Sequence, residues 1–178
     1  MVLLDWMLQV HSIHCCLPET WFLSVNLVDR LLSTCPNVSL PKLQLLGLTC
    51  FFIATKFEES ILPRAKDLVQ LAEGQYKVSE LAKAEKHALN LLEWNLKFAG
   101  PMPFLRRGSK ADDLDHYVRM IAKYLLEVAS FDWRLVGVPT SMHAAAALYL
   151  GRMAMGKEEW VCFFAPSYGR IAHVNLYF

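Results

Sequence analysis

Apolar residues recur along this chain at three- and four-residue steps, and that spacing predicts a succession of helices. Within residues 1–14 one helical face is apolar. The next apolar face runs from Trp21 to Leu32, after a break at residues 17–20 where Thr20 is the expected N-cap. The residues of the first face are Val2, Leu3, Trp6, Val10 and Ile13.

The stretch from Leu40 to Glu59, LPKLQLLGLTCFFIATKFEE, has no polar face. Its mostly apolar run, residues 45–54, is too short to span a bilayer, which needs about 20 residues. A helix that is apolar all round must be covered by neighbours, so this stretch predicts the central helix of an all-α bundle. It ends in charged residues, Lys56, Glu58 and Glu59, which places polar chemistry at one end of a buried element.

Four more helices follow in the pattern. We expect a short one at Lys66–Ala72, ended by Gly74, and a longer one at Ser79–Trp94 with Ser79 as N-cap. Residues 99–103 are the predicted linker. Beyond it, helices are expected at about 113–129 and at 140–155, with a short apolar piece at 131–136.

Pro41 and Pro139, about 100 residues apart, each begin an apolar helix that comes third in its half. This weak repeat predicts two five-helix halves, the second apparently incomplete. Apolar segments at 160–166 and 174–178 stand where its last helices would be. Because the chain begins inside its first predicted helix, we expect a fragment or a reduced variant.

Composition narrows the function. A net charge of +1 indicates no general attraction to nucleic acid or acidic lipid. The five cysteines lack a disulfide framework and the N-terminus lacks a basic signal region, so we expect a reducing, intracellular compartment. His11, His14, Cys15 and Cys16 lack the second spaced pair typical of zinc sites, and we interpret them as a helix end that binds no metal. The sequence contains neither a phosphate-binding glycine loop nor a nucleophile elbow, so an enzymatic function has little support.

Glu85 is an unexpected acid in the fifth predicted helix. It lies four residues after Leu81 and three before Ala88, on the apolar stripe that Leu89 and Leu92 continue. Two interpretations stay open. The carboxylate either lies at the edge of the stripe, reaching water or a nearby lysine, or pairs with Lys56 on a partly apolar surface.

Six motifs carry a family resemblance. They are LDW at 4–6, LPET at 17–20, VNLVDR at 25–30, KLQL at 42–45, ATKFEE at 54–59 and FLRRGSKA at 104–111. Together they resemble the cyclins, most closely the B-type (mitotic) cyclins. The resemblance implies two cyclin boxes, at 1–99 and 100–178. It also implies a protein that binds and activates a mitotic cyclin-dependent kinase in G2/M control, with no catalytic activity and no cofactor of its own. The same resemblance implies a location in the nucleus and cytoplasm, and no binding to nucleic acid or membranes.

By the same resemblance, Lys56 and Glu85 match the lysine and glutamate that cyclins present to the kinase. That surface would hold the kinase αC helix inward. The full set of implied kinase-binding residues is Ile53, Lys56, Phe57, Glu58, Glu85, Leu89, Trp94 and Leu96.

The resemblance also implies a docking patch for short Arg-x-Leu motifs of substrates or inhibitors. Leu40 and Gln9 depart from the family, where a basic residue and a glutamate are common. Alternatively Leu3 and Trp6 are ordinary core. The implied patch comprises Val2, Leu3, Trp6, Gln9, Leu43 and Gln44.

A third implied site is a phosphate pocket of Arg106, Arg119 and Lys123. Its alternative is a solvated basic face. A rival for the whole chain is the cyclin-fold module of general transcription factors, which binds DNA or protein and would show salt-dependent DNA binding.

Overall fold

The computed structural model describes residues 2–35, 37–111 and 114–157, and within these ranges it contains eight α-helices and no strand. A 3₁₀ turn at Trp133–Leu135 lies between the last two helices. The helices are α1 (Val2–Ile13), α2 (Pro18–Thr34), α3 (Leu40–Glu58), α4 (Ala65–Leu71), α5 (Val78–Leu91), α6 (Pro101–Ala111), α7 (His116–Ala129) and α8 (Thr140–Ala154). The all-α prediction is confirmed.

The helix α3 is the centre of the first half, as its all-round apolar sequence predicts. Residues 47–55 are all buried, and α3 packs against α1, α2, α4 and α5. Gly47 permits the close approach of α1, because a Cβ there would lie 2.9 Å from both Leu3 Cδ1 and Met7 Sδ. None of the described helices combines the length and the apolar character needed to cross a membrane.

Both predicted N-caps are wrong. The helix α2 begins at Pro18, since a proline without an N–H suits the first helical position, and Thr20 instead donates its hydroxyl to Glu59 Oε1 at 2.5 Å. The helix α5 begins at Val78, one residue before Ser79. The Glu80 carboxylate accepts a hydrogen bond from the backbone N–H of Lys77 at 2.7 Å. A side chain in the first turn of the helix thus provides the hydrogen-bond partner of this N-terminal N–H.

Two boundaries in the second half also differ from the pattern. Residues 101–103 of the predicted linker belong to α6, again because proline is tolerated at a helix start. The helix α7 begins at His116, later than expected, because Asp115 caps it. Its Oδ1 accepts the N–H of Tyr117 at 2.9 Å and of Val118 at 3.0 Å. The apolar segments at 160–166 and 174–178 lie outside the described residues.

The two halves are joined by polar and aromatic contacts. Trp21 Nε1 donates to Ser130 Oγ at 3.1 Å, and the rings of Trp21 and Phe131 have centroids 5.8 Å apart. Across the linker, Thr140 Oγ1 donates to the carbonyl of Ala99 at 2.6 Å. These contacts place α2 of the first half against the end of α7 in the second.

Candidate functional site

The C-terminal end of α3 meets the middle of α5 at an ion pair. Lys56 Nζ lies 2.6 Å from Glu85 Oε1, with the lysine side chain 41% exposed and the glutamate 16% exposed. The ammonium also lies 4.1 Å from the centroid of the Phe52 ring, within range of a cation–π contact. The acid on the apolar stripe is therefore paired across two helices on a partly apolar surface.

Trp94 is held at the C-terminal end of α5 by the turn that ends this helix. The N–H groups of Trp94 and Glu93 donate to the carbonyls of Leu89 (2.9 Å) and Asn90 (3.1 Å), the two bonds of a Schellman motif. Glu93 and Trp94 both have left-handed φ values, 53° and 56°. The indole Nε1 donates to Asn90 Oδ1 at 3.3 Å, and the side chain stays 65% exposed. The turn thus presents a large aromatic ring to solvent.

The other residues of the predicted kinase-binding set lie at different depths. Phe57 is 55% exposed, whereas Leu89 and Leu96 are half-buried. Ile53 is only 2% exposed and belongs to the core, so in this chain it supports the surface from below and presents almost no area of its own. Within the predicted kinase-binding set, the exposed apolar side chains are therefore Phe57, next to Lys56 in the chain, and Trp94, at the end of α5.

Sequence reasoning missed the role of Glu59, which ties the end of α3 to the start of α2. Its Oε1 accepts the backbone N–H of Leu17 at 2.6 Å, in addition to the Thr20 hydroxyl. Next to it, burial raises the pKa of Glu58, and the nearby charges of Glu19 and Glu59 raise it further. Leu17, at the N-cap of α2, supplies no side-chain acceptor, so the pattern LPET left the N–H groups at this helix start to water or to a side chain from elsewhere.

The predicted docking patch forms a strip between α1 and α3. Val2 and Gln9 are exposed, and the other four members, Leu3, Trp6, Leu43 and Gln44, are half-buried. Leu3 and Trp6 are thus neither full core residues nor free surface. The strip can offer a shallow apolar surface with polar edges.

Arg106, the first of the three cations predicted to hold phosphate, is paired with Glu19 of α2. Sequence reasoning did not foresee this acid, which lies 87 residues away along the chain. Arg119 is half-buried and Lys123 exposed, one turn apart on α7. Among the described residues, neither has a carboxylate partner.

The histidines near the end of α1 are held by aromatic rings and backbone. His11 Nε2 lies 2.9 Å from the carbonyl oxygen of Leu17, and the His14 ring stacks on Phe51 with centroids 6.4 Å apart. Across residues 2–35, 37–111 and 114–157, no group of three or more His, Cys, Asp or Glu side chains is placed to hold a metal ion.

Comparison with known proteins defines the family to which this chain belongs. The model of the cyclin N-terminal domain matches residues 1–97, and that of the cyclin C-terminal domain matches residues 99–163. The chain belongs to the cyclin family, which confirms the resemblance seen in the motifs.

Individual relatives narrow the similarity to mitotic cyclins. The chain is 46% identical over 159 residues to the G2/mitotic-specific cyclin cdc13 of Schizosaccharomyces pombe, covering 89% of this chain and 33% of that protein. It is 42% identical to the G2/mitotic-specific cyclin-B of Emericella nidulans, with the same coverage of both proteins. The chain thus spans about a third of the length of these relatives.

A solved structure supports the fold alone. The viral cyclin from herpesvirus saimiri superposes with a TM-score of 0.82 at 22% identity, covering 93% of this chain and 74% of that one.

Proposed function

We propose that this chain is the regulatory subunit of a mitotic cyclin-dependent kinase, which it binds and activates in G2/M control without catalysing a reaction itself. Membership of the cyclin family and the similarity to G2/mitotic-specific cyclins support this role. We further propose that residues 1–99 and 100–178 act as the two cyclin boxes, and that the protein works in the nucleus and cytoplasm.

The observation that carries the proposal is the Lys56–Glu85 pair, with the exposed Phe57 next to Lys56 in the chain and the exposed Trp94 at the end of the helix that carries Glu85. A paired charge among apolar groups suits a partner helix that is apolar with a few polar groups, because both kinds of contact can be satisfied at once. Aromatic residues at such positions commonly contribute most to binding.

The activation mechanism is a shift between kinase conformations. Bound to this surface, the kinase αC helix is held inward, so that the kinase's own Lys–Glu pair forms and its activation loop opens. The cyclin contributes binding energy that differs between the two kinase states, and the kinase supplies all of the chemistry.

The strip between α1 and α3 is proposed to recruit substrates or inhibitors that carry short docking motifs. Its support is the half-buried apolar surface of Leu3, Trp6 and Leu43, bordered by Gln9 and Gln44. An extended peptide can place an apolar side chain on such a surface and a polar one at its edge.

The direct test is to co-purify the chain with a mitotic-type cyclin-dependent kinase and to measure phosphorylation of a histone substrate. Lys56→Ala and Glu85→Ala should each reduce activation. Lys83→Ala is the matched control, since Lys83 is exposed on α5 and lies two residues from Glu85, on another side of the helix. Failure of the unmodified chain to activate any such kinase would refute the proposed function.

A further inference from the structure

Two cysteines stand side by side in the turn between α1 and α2. Cys15 is exposed and Cys16 is half-buried, and both are free thiols. The turn is a Schellman motif, in which the N–H of Cys16 donates to the carbonyl of His11 at 3.4 Å and that of Cys15 to the carbonyl of Ser12 at 3.1 Å. None of the residues proposed above for kinase, motif or phosphate binding belongs to this turn.

Cysteine is an unusual residue for the position that Cys15 occupies. Its φ is 50°, in the left-handed region, where glycine is the usual residue after a helix because a Cβ is unfavourable there. The Cys15 thiol lies 3.7 Å from the carbonyl oxygen of Ser12, which is a weak contact, and stays open to solvent. A reactive group is therefore held at the surface by a strained backbone position.

The second thiol has an acceptor for its proton. Burial, the charge of Glu59, a hydrogen bond to that carboxylate and the nearby Cys15 together raise the pKa of Cys16 to about 11. Cys16 is therefore protonated at neutral pH, and a carboxylate and a second sulfur both lie close to it. Glu59 is held in place because it also accepts the N–H of Leu17 at 2.6 Å. A thiol in contact with a base can lose its proton as it attacks.

We propose that Cys15 and Cys16 form a reversible disulfide with each other when the protein meets hydrogen peroxide, with Glu59 as the base for the second step. In the first step the Cys15 thiolate attacks one peroxide oxygen, so that Cys15 becomes a sulfenic acid and the other oxygen leaves as water. In the second step the Cys16 sulfur attacks the Cys15 sulfur and its proton passes to Glu59. The hydroxide that leaves Cys15 takes up this proton as a second water. Two thiols are oxidised and one peroxide is reduced.

A disulfide between neighbouring residues is easily reduced again. Adjacent Cα atoms lie about 3.8 Å apart across a trans peptide, whereas roughly 4.4–6.8 Å separates those of most disulfide-linked residues. The closed ring is therefore strained, and strained or exposed disulfides are the ones that other thiols reduce readily. Such a bond persists only while an oxidant is present, as is typical of redox-sensing cysteines in reducing compartments.

Oxidation acts on the contact that anchors the end of α3. The disulfide removes the S–H of Cys16 that donates to Glu59, and the new ring shifts the backbone directly before Leu17. Glu59 directly follows α3, three residues after Lys56. The oxidised turn should therefore hold the end of α3 less firmly. The importance of this change for kinase binding rests on the proposed function, whereas the disulfide itself does not.

The test treats the chain of residues 1–178 with a stoichiometric amount of hydrogen peroxide and maps its thiols by mass spectrometry. The tryptic peptide 1–30 contains Cys15 and Cys16 as its only cysteines, because Arg30 is the first cleavage site. After alkylation under denaturing conditions, this peptide should carry no label and be lighter by two hydrogen atoms. Treatment with a small thiol before alkylation should restore both labels. In the oxidised form the amide of Leu17 should exchange faster than in the reduced form.

Cysteine variants separate the two steps. Cys16→Ser should stop the reaction at the Cys15 sulfenic acid, which dimedone traps. Cys35→Ser, at a half-buried position outside the turn, should leave the disulfide and its rate of formation unchanged. Disulfides that join Cys15 or Cys16 to another cysteine or to a second chain would overturn the proposal. Further oxidation of Cys15 in place of the disulfide, or a Leu17 amide that exchanges equally in both forms, would also overturn it.

A variant of Glu59 tests the base. Glu59→Gln can still accept the N–H of Leu17, yet it should slow the second step at least about tenfold without slowing the first, because an amide does not take up the proton. Glu93→Gln, at an exposed position after α5, should change neither step. Equal rates of the second step in Glu59→Gln and in the unmodified protein would overturn the proposal. The thiol mapping decides it even if Glu59→Gln does not fold, and it needs no kinase, so its result is separate from that of the proposed function.

Discussion

Lys56 and Glu85 lie 29 positions apart in the chain, yet their side chains meet at 2.6 Å. The end of α3 supplies the cation and the apolar stripe of α5 supplies the anion. Since the lysine is 41% exposed, the pair contributes about 0–1 kcal/mol to folding. Its value would rise when a kinase covers it, because the same charges then interact away from water.

Lys56→Ala and Glu85→Ala are therefore expected to leave the free energy of unfolding nearly unchanged and to weaken kinase binding by about 2–5 kcal/mol. The loss arises because the remaining partner is buried unpaired. Kinase affinity, measured with the two single variants and the double variant, checks this. In the double variant, the loss should be smaller than the sum of the two single losses. Strictly additive losses would show that the two residues act separately.

The second half should be protected less than the first in hydrogen exchange. Three apolar residues of α8, Met142, Leu150 and Met153, are 38%, 44% and 52% exposed, whereas residues 47–55 of α3 are all buried. A helix covered on fewer sides opens at lower free energy. Backbone amides after Pro101 should therefore exchange faster than those before it. Equal protection in both halves would contradict this expectation.

Gly151→Ala should destabilise the protein by about 1–3 kcal/mol, in spite of the better helix propensity of alanine. The added Cβ would lie 2.8 Å from the carbonyl oxygen of Val118, a backbone atom that cannot move without separating α7 from α8. Urea unfolding measures the effect. Gly137→Ala is the control, because a Cβ at Gly137 meets nothing within 4 Å. A variant at 151 as stable as the control would show that the two helices can shift at little cost.

The stability of the protein should fall as the pH drops below 6.5, in part because of His143. Burial lowers its pKa below the ordinary 6.5, and its Nε2 is buried without a hydrogen-bond partner among the described residues. The unfolded chain therefore binds the proton more readily, so this contribution is fully present above pH 6.5 and is lost as the pH falls toward the folded pKa.

The measurement compares His143→Gln with the unmodified protein between neutral and mildly acidic pH, using His87→Gln at an exposed position as control. Asp29 and Glu58 have raised pKa values, so at lower pH they change the free energy of unfolding with pH in the opposite direction. The contribution of His143 is therefore taken from the difference in unfolding free energy between the variant and the unmodified protein at each pH. A slope that His143→Gln leaves unchanged would assign the pH dependence to other groups.

A phosphoserine peptide should bind better than its plain form if the cations of α6 and α7 form a pocket. Arg119→Ala combined with Lys123→Ala should abolish that preference, since arginine and lysine both stabilise phosphate. Glu19→Gln should strengthen it, because Glu19 holds the Arg106 guanidinium and its removal frees a third cation. Equal binding of both peptides to all forms would mean that the three residues are a solvated basic face.

Much of the helical architecture followed from the sequence because the apolar pattern is local. The nine buried residues 47–55 of α3 leave no polar face, so any fold of this chain must cover them. The position of Glu85 on the stripe of α5 was equally visible, since helical periodicity places residues 81, 85 and 88 on one side. The motifs that identify a cyclin are likewise short and continuous.

Tertiary structure decided which polar groups meet. Glu59 accepts from Leu17 and Thr20, 42 and 39 positions away, and this contact accompanies the start of α2 at Pro18. Arg106 pairs with Glu19 across 87 positions. Periodicity shows which side of a helix a residue occupies, but the partner of a charged side chain is a group on whichever helix packs beside it. That choice depends on how separate helices are arranged in space, which no local pattern encodes.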